Sequence, residues 1–452
     1  MNVPPSYLLK RFEGFADRPA VIFENRQYSY KNLAAEIDLH YYQLKERGIQ
    51  AGDVVCLAAD YSFITLSLFL ALVKQRAILV PVTTTVATEI TERVRQSYVE
   101  KVVRLSGTTF QIESVSNPGE DKHDLIQRLR DSNAAGLVLF SSGTTGKPKA
   151  MIRDFDVLVE SYKNRTPKRS RLLAFLMLDH IGGVDTFLGS FAMGMELIIP
   201  ESRDPHHICQ LVENHKVDIL PATPTFLNLL LISEAHKHYD ISSLKTITYG
   251  AEPMPESLLV RLNEAFPDAR LLQKFGTSET GVPRTRSKSS LSTMMRIEEE
   301  DQESKIVNGE LWLRSRTRIL GYLNHDADGF TESGWFQTGD LAEEDEDGFI
   351  RIVGRSEEVI NVGGQKVLPA EVETVVLELP EVVDCLVRGE VNAITGQSVT
   401  AVVVPSETVD PASLRATVRR HCLKHLDKYK VPTRITLADR IETGAGYKKK
   451  RV

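Results

Sequence analysis

Short apolar segments alternate with longer helix-like ones along the first hundred residues. Val54 to Ala58 and Ala77 to Val82 are apolar throughout, whereas Tyr30 to Arg47 has the mixed character of an amphipathic helix. This alternation is typical of buried parallel strands joined by crossover helices, and it predicts an α/β architecture. The pattern returns between residues 172 and 269, where two strands and a helix are predicted: Glu196 to Pro200, Asp218 to Pro221 and Pro255 to Phe266.

Beyond Phe266 the pattern changes to shorter segments rich in Gly, Thr and charge. Gly309 to Leu313 and Gly348 to Val353 are predicted as antiparallel strands of a small β-rich subdomain. The last hundred residues then restart with elements of their own, predicted as helix, two strands and helix: Ala370 to Leu379, Asp384 to Gly389, Val399 to Val404 and Ala412 to His425. We therefore predict a large N-terminal domain over 1–353, a hinge over 354–357 and a small, mobile α+β lid domain over 358–452.

Composition narrows the class of protein. The 452 residues are 42% hydrophobic and 26% charged, with a net charge of -6, which gives no general attraction to nucleic acid or anionic lipid. The four cysteines form no Cys-x-x-Cys pair, which fits a reducing compartment. The start lacks a signal-peptide pattern, and the longest apolar run, Phe63 to Val73, is too short for a bilayer. We expect a cytoplasmic protein with no nucleic-acid partner and no membrane span.

A run of small hydroxylic and glycine residues follows the apolar segment Gly136 to Phe140. It reads Ser141-Ser142-Gly143-Thr144-Thr145-Gly146-Lys147-Pro148-Lys149. Small side chains leave backbone N–H groups and hydroxyls free to surround a polyphosphate. A Walker-type loop requires four residues between its glycines, but here there are only two, and Lys147 precedes a proline. The run is therefore a phosphate loop of another kind.

This run resembles the signature loop of the adenylate-forming superfamily, which contains acyl-CoA synthetases, peptide-synthetase adenylation domains and luciferases. Ala150 replaces the usual closing glycine. Four further motifs of the superfamily follow in its order: Tyr249 to Pro253, Gln273 to Glu279, Gly334 to Asp340 and Gly354 to Glu358. The resemblance covers nearly the whole chain. It implies ATP and Mg²⁺ as cofactors and a thiol acceptor, which is either coenzyme A or a phosphopantetheine arm.

The resemblance also assigns residues to the nucleotide. Phe275 would lie beside adenine, Glu279 would hold Mg²⁺, and Asp340 and Arg355 would hydrogen-bond the ribose. The full set of implied ATP-binding residues is Ser141, Ser142, Gly143, Thr144, Thr145, Gly146, Lys149, Ala251, Glu252, Pro253, Gln273, Phe275, Gly276, Thr277, Ser278, Asp340, Ile352 and Arg355.

The catalytic lysine of the superfamily lies near the C-terminus in a Thr-x-x-Gly-Lys pattern. From Thr443 this chain reads Thr-Gly-Ala-Gly-Tyr-Lys-Lys-Lys, so Tyr447 stands where the lysine is expected. We assign the role to Lys448, because a glycine-rich loop can shift its register by one residue. Lys449 is the competing candidate, and a solvated basic tail is a third interpretation.

The acid site is implied around the segment Phe175 to Gly183. His180 matches the histidine that acyl- and aryl-CoA ligases carry beside the acyl group, so we count it among the catalytic residues. Ile181 stands where amino-acid-activating domains place an aspartate, which argues against a standard α-amino acid. The predicted acid-binding residues are His180, Ile181, Asp185, Gly250, Lys274 and Gly276.

A second half-reaction is also implied. In the superfamily the small domain rotates about a hinge residue, here Glu357, so that a thiol can reach the adenylate. Gly363, Gly364 and Lys366 would line the thiol tunnel. These roles follow from the resemblance alone.

We therefore predict an ATP-dependent ligase that forms an acyl-adenylate and then a coenzyme A thioester. Its size is similar to that of compact aryl- or acyl-CoA ligases, which favours an aryl or a small to medium acyl acid. Two alternatives remain: a stand-alone ligase that loads an acyl-carrier protein, and a nucleotide-binding protein whose catalysis is weakened.

Overall fold

The computed structural model describes residues 6–116, 123–141, 148–325, 329–406, 409–444 and 446–450. Their strands form four sheets. The first sheet has seven strands, in the spatial order β18 (Gly321–Tyr322), β8 (Lys149–Asp154), β7 (Gly136–Ser141), β4 (Ile78–Val82), β3 (Val54–Ala58), β5 (Lys101–Ser106) and β6 (Thr109–Ser114). Its four central strands β7, β4, β3 and β5 run parallel, as the apolar segments predict.

The second sheet also has seven strands. Their spatial order is β13 (Arg270–Gln273), β12 (Thr246–Tyr249), β11 (Ile219–Ala222), β9 (Arg171–Leu173), β10 (Glu196–Ile198), β1 (Pro19–Phe23) and β2 (Arg26–Ser29). All neighbours are parallel except the β1–β2 hairpin. This hairpin comes from the start of the chain and pairs with β10, so the two α/β stretches are interlocked.

In the part of the chain that the structure describes, ten helices pack around these two sheets. They are α1 (Ser6–Phe15), α2 (Tyr30–Glu46), α3 (Phe63–Lys74), α4 (Ala87–Gln96), α5 (Asp124–Asp131), α6 (Phe155–Glu160), α7 (Ile181–Met193), α8 (Pro205–His215), α9 (Pro224–Ile232) and α10 (Glu256–Ala265). The apolar run near Phe63 is α3, which is buried on nearly all sides and packs against α2. No helix of the described ranges combines the length and apolarity that crossing a bilayer requires.

The third sheet is the predicted β-rich subdomain. Its six antiparallel strands lie in the order β14 (Thr285–Ser287), β15 (Met295–Ile297), β20 (Ile350–Arg355), β19 (Phe336–Glu344), β17 (Glu310–Ser315) and β16 (Gln302–Val307).

The fourth sheet belongs to the small domain and has its own apolar core. It contains β22 (Gln365–Val367), β21 (Ile360–Val362), β24 (Gly396–Pro405), β23 (Val382–Asn392) and β25 (Arg434–Leu437), with helices α11 (Pro369–Val376) and α12 (Pro411–His425). The change of sheet falls between Arg355 and Ile360. The predicted fold class, a large α/β domain with a β-rich subdomain followed by a small α+β domain, is confirmed.

Candidate active site

The carboxyl ends of parallel strands form one wall of the candidate site. β11, β12 and β13 are followed directly by Thr223, Gly250 and Lys274. This edge of an open α/β sheet is the usual place for a ligand. Gly250 has no room for a side chain, because a Cβ there would lie 2.4 Å from the carbonyl oxygen of Lys274.

The phosphate loop joins two neighbouring strands. β7 and β8 pair antiparallel, with Ser141 opposite Lys149. Residues Ser142, Gly143, Thr144, Thr145 and Gly146, all assigned to ATP, lie outside the described residues. Where the chain leaves the loop, the amide of Asn324 accepts from the N–H of Ala150 at 2.8 Å and donates to the carbonyl oxygen of Pro148 at 2.8 Å. The exit of the loop is therefore fixed by a side chain from near β18.

The predicted adenine motif is a tight turn after β13. Thr277 and Gly281 exchange backbone hydrogen bonds of 3.2 and 2.9 Å, and a Cβ on Gly276 would lie 2.7 Å from the Gly281 carbonyl oxygen. Phe275 packs against the core of the third sheet, and Gln273 is buried at the end of β13. The turn therefore lies where the second and third sheets meet.

A buried arginine, which sequence reasoning missed, supports this turn. Arg153 on β8 is 1% exposed and donates hydrogen bonds to the carbonyl oxygens of Ser278 and Thr317. Burial lowers its pKa to about 10, against the opposing influence of Glu279. The available signal was a single arginine inside the apolar strand that follows the phosphate loop.

Glu279 faces the exit of the phosphate loop. Its Oε1 accepts a hydrogen bond of 3.2 Å from the Tyr322 hydroxyl, and the ring of Tyr322 lies 5.6 Å from the Lys149 ammonium. Among the described residues no basic side chain forms an ion pair with Glu279. Its carboxylate oxygens are therefore available to a hard divalent cation, so the residues present fit Mg²⁺.

Asp340 and Arg355 lie opposite each other on β19 and β20. Arg355 Nε is 2.8 Å from Asp340 Oδ1, and Arg355 Nη1 donates to the carbonyl oxygen of Thr338 at 3.3 Å. Burial raises the pKa of Asp340 to about 6, although the Arg355 guanidinium lowers it. Ile352, also on β20, is partly buried and packs against the apolar core of the third sheet. The structure thus unites two residues that the sequence assigned to the same sugar.

His180 is the residue before α7 and lies beside the neighbouring acid Asp179. Their side chains are 4.0 Å apart, and Asp179 also pairs with Arg93 at 2.7 Å. Burial lowers the pKa of His180, although Asp179 raises it. Behind this position, a Cβ on Gly183 would lie 1.9 Å from the Met177 carbonyl oxygen, so α7 can start here only with glycine.

Asp185, one helical turn further along α7, and Lys274, after β13, are partly buried residues of opposite charge that act on each other. Asp185 Oδ1 accepts from the Tyr162 hydroxyl at 2.7 Å. Burial raises the pKa of Asp185 and lowers that of Lys274, while each charge acts on the other in the opposite sense. Ile181 is buried nearby at the start of α7. The sequence named these residues separately, and the fold makes them one electrostatic group.

The C-terminal lysines have different surroundings. Lys448 is exposed to solvent overall, yet the loss of water around its ammonium lowers its pKa, while the Glu252 carboxylate raises that pKa and Arg355 lowers it further. Its charge also acts on His180. Lys449 instead donates from Nζ to Asp384 Oδ1 at 2.7 Å and to the Cys385 carbonyl oxygen at 2.8 Å. The second lysine is therefore bound to the small domain.

Glu252 links the two domains at this point. One carboxylate oxygen accepts from the N–H of Lys449 at 2.9 Å, and the other accepts from the Thr225 hydroxyl at 2.8 Å. Its neighbours Ala251 and Pro253 lie in the same turn after β12, and Ala251 has a φ of 70°. The sequence assigned Glu252 to the nucleotide, whereas the structure shows it holding the lysine loop.

The predicted thiol-tunnel residues lie elsewhere on the small domain. Gly363 and Gly364 form the turn between β21 and β22, with φ values of 57° and 88°, and Lys366 is exposed on β22. Glu357 lies in the short 3₁₀ helix Ser356–Glu358. The N–H of Gly363 donates to the carbonyl oxygen of Thr395 at 2.8 Å and that of Gly364 to Asn361 Oδ1 at 2.9 Å, both in the small domain.

Comparison with known proteins decides the family. The chain matches the AMP-binding enzyme model over residues 8–323 and the AMP-binding enzyme C-terminal domain model over residues 371–445. The protein belongs to the AMP-binding enzyme family. The resemblance drawn from the sequence motifs is confirmed, and so is the prediction of an AMP-forming acid–thiol ligase.

Relatives of the AMP-binding enzyme include several CoA ligases. The 2-succinylbenzoate–CoA ligase of Listeria monocytogenes is 26% identical, over 99% of this chain and 98% of that protein. The 4-coumarate–CoA ligase-like 2 of Arabidopsis thaliana is 31% identical, over 65% of this chain and 55% of its own length. The structure of an anthranilate CoA ligase with anthranoyl-AMP has a TM-score of 0.83 at 20% identity, covering 98% and 94% of the two chains.

Proposed function

We propose that this AMP-binding enzyme joins a small aryl acid to ATP as an acyl-adenylate and then transfers the acyl group to coenzyme A. The observation that carries the proposal is that hydrogen bonds from Thr223 and to Glu252 hold the loop bearing Lys448 against the carboxyl ends of β11 and β12. There the charge of Lys448 acts on His180, and Glu252 and Arg355 act on Lys448. The CoA ligases that match along the whole chain support an aryl acid and coenzyme A.

In the first half-reaction, a carboxylate oxygen of the acid attacks the α-phosphorus of ATP. The bond between the α-phosphorus and its bridging oxygen breaks, and pyrophosphate leaves with the electron pair. Both reactants are anions, so positioning and charge neutralisation supply most of the catalysis. Lys448 is the cation we assign to this charge, and we assign the orientation of the acid to His180.

The nucleotide is held by residues from all parts of the large domain. Asp340 accepts from the ribose hydroxyls, Arg355 donates to the same sugar, and Phe275 lies against adenine. Glu279 holds Mg²⁺, which supplies charge neutralisation at the phosphates when bound. We assign Ser141, Lys149 and the intervening loop residues to the β- and γ-phosphates.

In the second half-reaction, the thiol sulfur attacks the acyl carbon and AMP leaves with the electron pair of the broken anhydride bond. We propose that the small domain turns about Glu357 first, which brings the hairpin of Gly363, Gly364 and Lys366 to the thiol. The hairpin is held by hydrogen bonds within the small domain, which supports a rotation in which it moves with that domain as one body.

Pyrophosphate exchange across a panel of aromatic, short-chain and medium-chain acids tests the first step. Thioester formation with coenzyme A and with a phosphopantetheinylated carrier protein tests the second. Exchange with an aryl acid and transfer to coenzyme A are expected. Acyl transfer to the carrier protein but not to coenzyme A would establish the carrier-loading alternative. If no acid supports pyrophosphate exchange, the remaining interpretation is a nucleotide-binding protein whose catalysis is weakened. We place the reaction in the cytosol, where the four free, buried cysteines stay reduced.

A further inference from the structure

The residue that breaks the lysine pattern has a defined place in the structure. The hydroxyl of Tyr447 donates to the Arg203 carbonyl oxygen at 2.9 Å. The backbone carbonyl oxygen of Tyr447 accepts from the Thr223 hydroxyl at 2.8 Å. Its ring lies 5.8 Å from that of Phe175 and 5.4 Å from that of Phe226. Tyr447, a residue of the small domain, thus packs against the apolar core of the second sheet.

The backbone explains how one inserted residue is accommodated. Tyr447 has a φ of 53°, and the N–H of Tyr447 donates to the carbonyl oxygen of Gly444 at 3.0 Å. Thr443 pairs with Lys449, which closes the loop at its base. Three successive side chains then diverge: Tyr447 contacts the large domain, Lys448 is exposed to solvent, and Lys449 bonds back to the small domain.

We propose that Tyr447 is a positioning residue, which anchors the loop carrying Lys448 to the large domain during adenylation. This inference rests on the proposed function, since it concerns where the lysine lies in the first half-reaction. The loop is rich in glycine, so without an anchor it samples many conformations and the lysine is seldom in place. The anchor must release before the small domain can turn, so it serves only the first step.

The test separates the two half-reactions. Tyr447→Ala should reduce pyrophosphate exchange at least tenfold, while thioester formation from preformed acyl-adenylate and coenzyme A changes less than twofold. Tyr447→Phe keeps the ring and loses only the hydroxyl, so we expect a two- to fivefold loss. Tyr42→Ala, at an exposed tyrosine of the large domain, is the matched control and should change neither rate.

Hydrogen exchange of the loop gives a readout that does not depend on activity. The backbone amides of residues 443–449 should exchange at least tenfold faster in Tyr447→Ala than in the wild type. Unchanged protection, or equal loss in both half-reactions, overturns the proposal. If the wild type itself fails to exchange pyrophosphate with any acid, the proposed function fails, and the protection measurement still decides whether Tyr447 anchors the loop.

A second, independent observation lies on the outer face of the small domain. His421 and His425 are one turn apart on α12, with ring centroids 4.4 Å apart, and His421 Nε2 lies 2.9 Å from Glu378 Oε2. One ligand atom from each residue lies within 4.8 Å of the other two. Two histidines at this spacing on one helix face, with a carboxylate, are a donor set that Zn²⁺ accepts.

The geometry points to a Zn²⁺ site that ties the end of α11 to α12. The three ligands leave the fourth tetrahedral position to water. Titration calorimetry of the metal-free full-length protein with Zn²⁺ alone should give one equivalent of binding, which raises the melting temperature. Zinc binding should weaken at least tenfold in each of His421→Ala, His425→Ala and Glu378→Gln. His236→Ala, a control in the large domain, should bind Zn²⁺ as the wild type does. Equal binding by the wild type and the three variants overturns the site.

Discussion

Replacing Lys448 with alanine should remove most adenylation activity while leaving the fold intact. Among the described residues its ammonium forms no ion pair, and its side chain is exposed to solvent, so it contributes little to stability. A positioned donor beside charge that develops in a transition state is worth about 2.7–4 kcal/mol. Since about 1.4 kcal/mol is a factor of ten, we expect pyrophosphate exchange to fall by about 10²–10³-fold.

Replacing Lys449 with alanine should have the opposite profile. Its ion pair with Asp384 is well buried, with side chains 13% and 10% exposed, so its loss leaves a buried carboxylate without its ion-pair partner, with the Cys385 N–H still donating to it. Breaking such a pair costs about 3–5 kcal/mol. We therefore expect a lower unfolding midpoint in urea, and a smaller loss of exchange wherever the small domain is still folded.

The two variants are compared by pyrophosphate exchange and by urea unfolding, with Lys450→Ala as the control. Lys450 is exposed, and its backbone N–H bonds to Glu442. The reasoning is refuted if Lys449→Ala abolishes exchange in a folded protein while Lys448→Ala remains active, because the catalytic register would then be one residue later.

Three further outcomes are expected. Arg153→Met should lower the free energy of unfolding by about 2–6 kcal/mol, measured in urea, because two partly buried carbonyl oxygens lose a charged donor. Gly183→Ala should impair acid binding and exchange, since its Cβ would meet the Met177 carbonyl oxygen; normal kinetics would contradict this. ATP affinity, measured by calorimetry, should fall as the pH drops through about 6, because the raised pKa of Asp340 lets it protonate there and lose an acceptor. Asp340→Asn should remove that pH dependence.

Local periodicity was sufficient for most elements. Val54–Ala58 is a strand at the predicted bounds, and the predicted helix from Tyr30 ends at Glu46, one residue early. In the small domain the strand predicted from Asp384 to Gly389 runs from Val382 to Asn392, because pairing with β24 extends it beyond the apolar residues. Apolar pattern predicts where a strand lies, whereas hydrogen bonding to a neighbour decides where it ends.

The local apolar pattern did not predict which distant strands pair with each other. The β1–β2 hairpin joins the second sheet beside β10, although about 170 residues separate them, and β18 returns to the first sheet beside β8. Neither pairing leaves a signal in the sequence near those strands. Arg153 looked like an ordinary strand residue, because its carbonyl partners come from distant turns.

The motifs by themselves determined the family, because a phosphate loop and the turns that border a nucleotide need particular residue types at fixed places. The residues that they assign to the nucleotide stay a prediction. Only the tertiary structure distinguished the surroundings of the two lysines and of Tyr447. Lys448 and Lys449 are chemically identical in the sequence, and Tyr447 looks like a defect of the pattern. Their roles depend on which side chain meets Asp384, the solvent or the Phe175 cluster. That choice is made by the backbone turn at Tyr447 and by contacts between residues more than 200 positions apart.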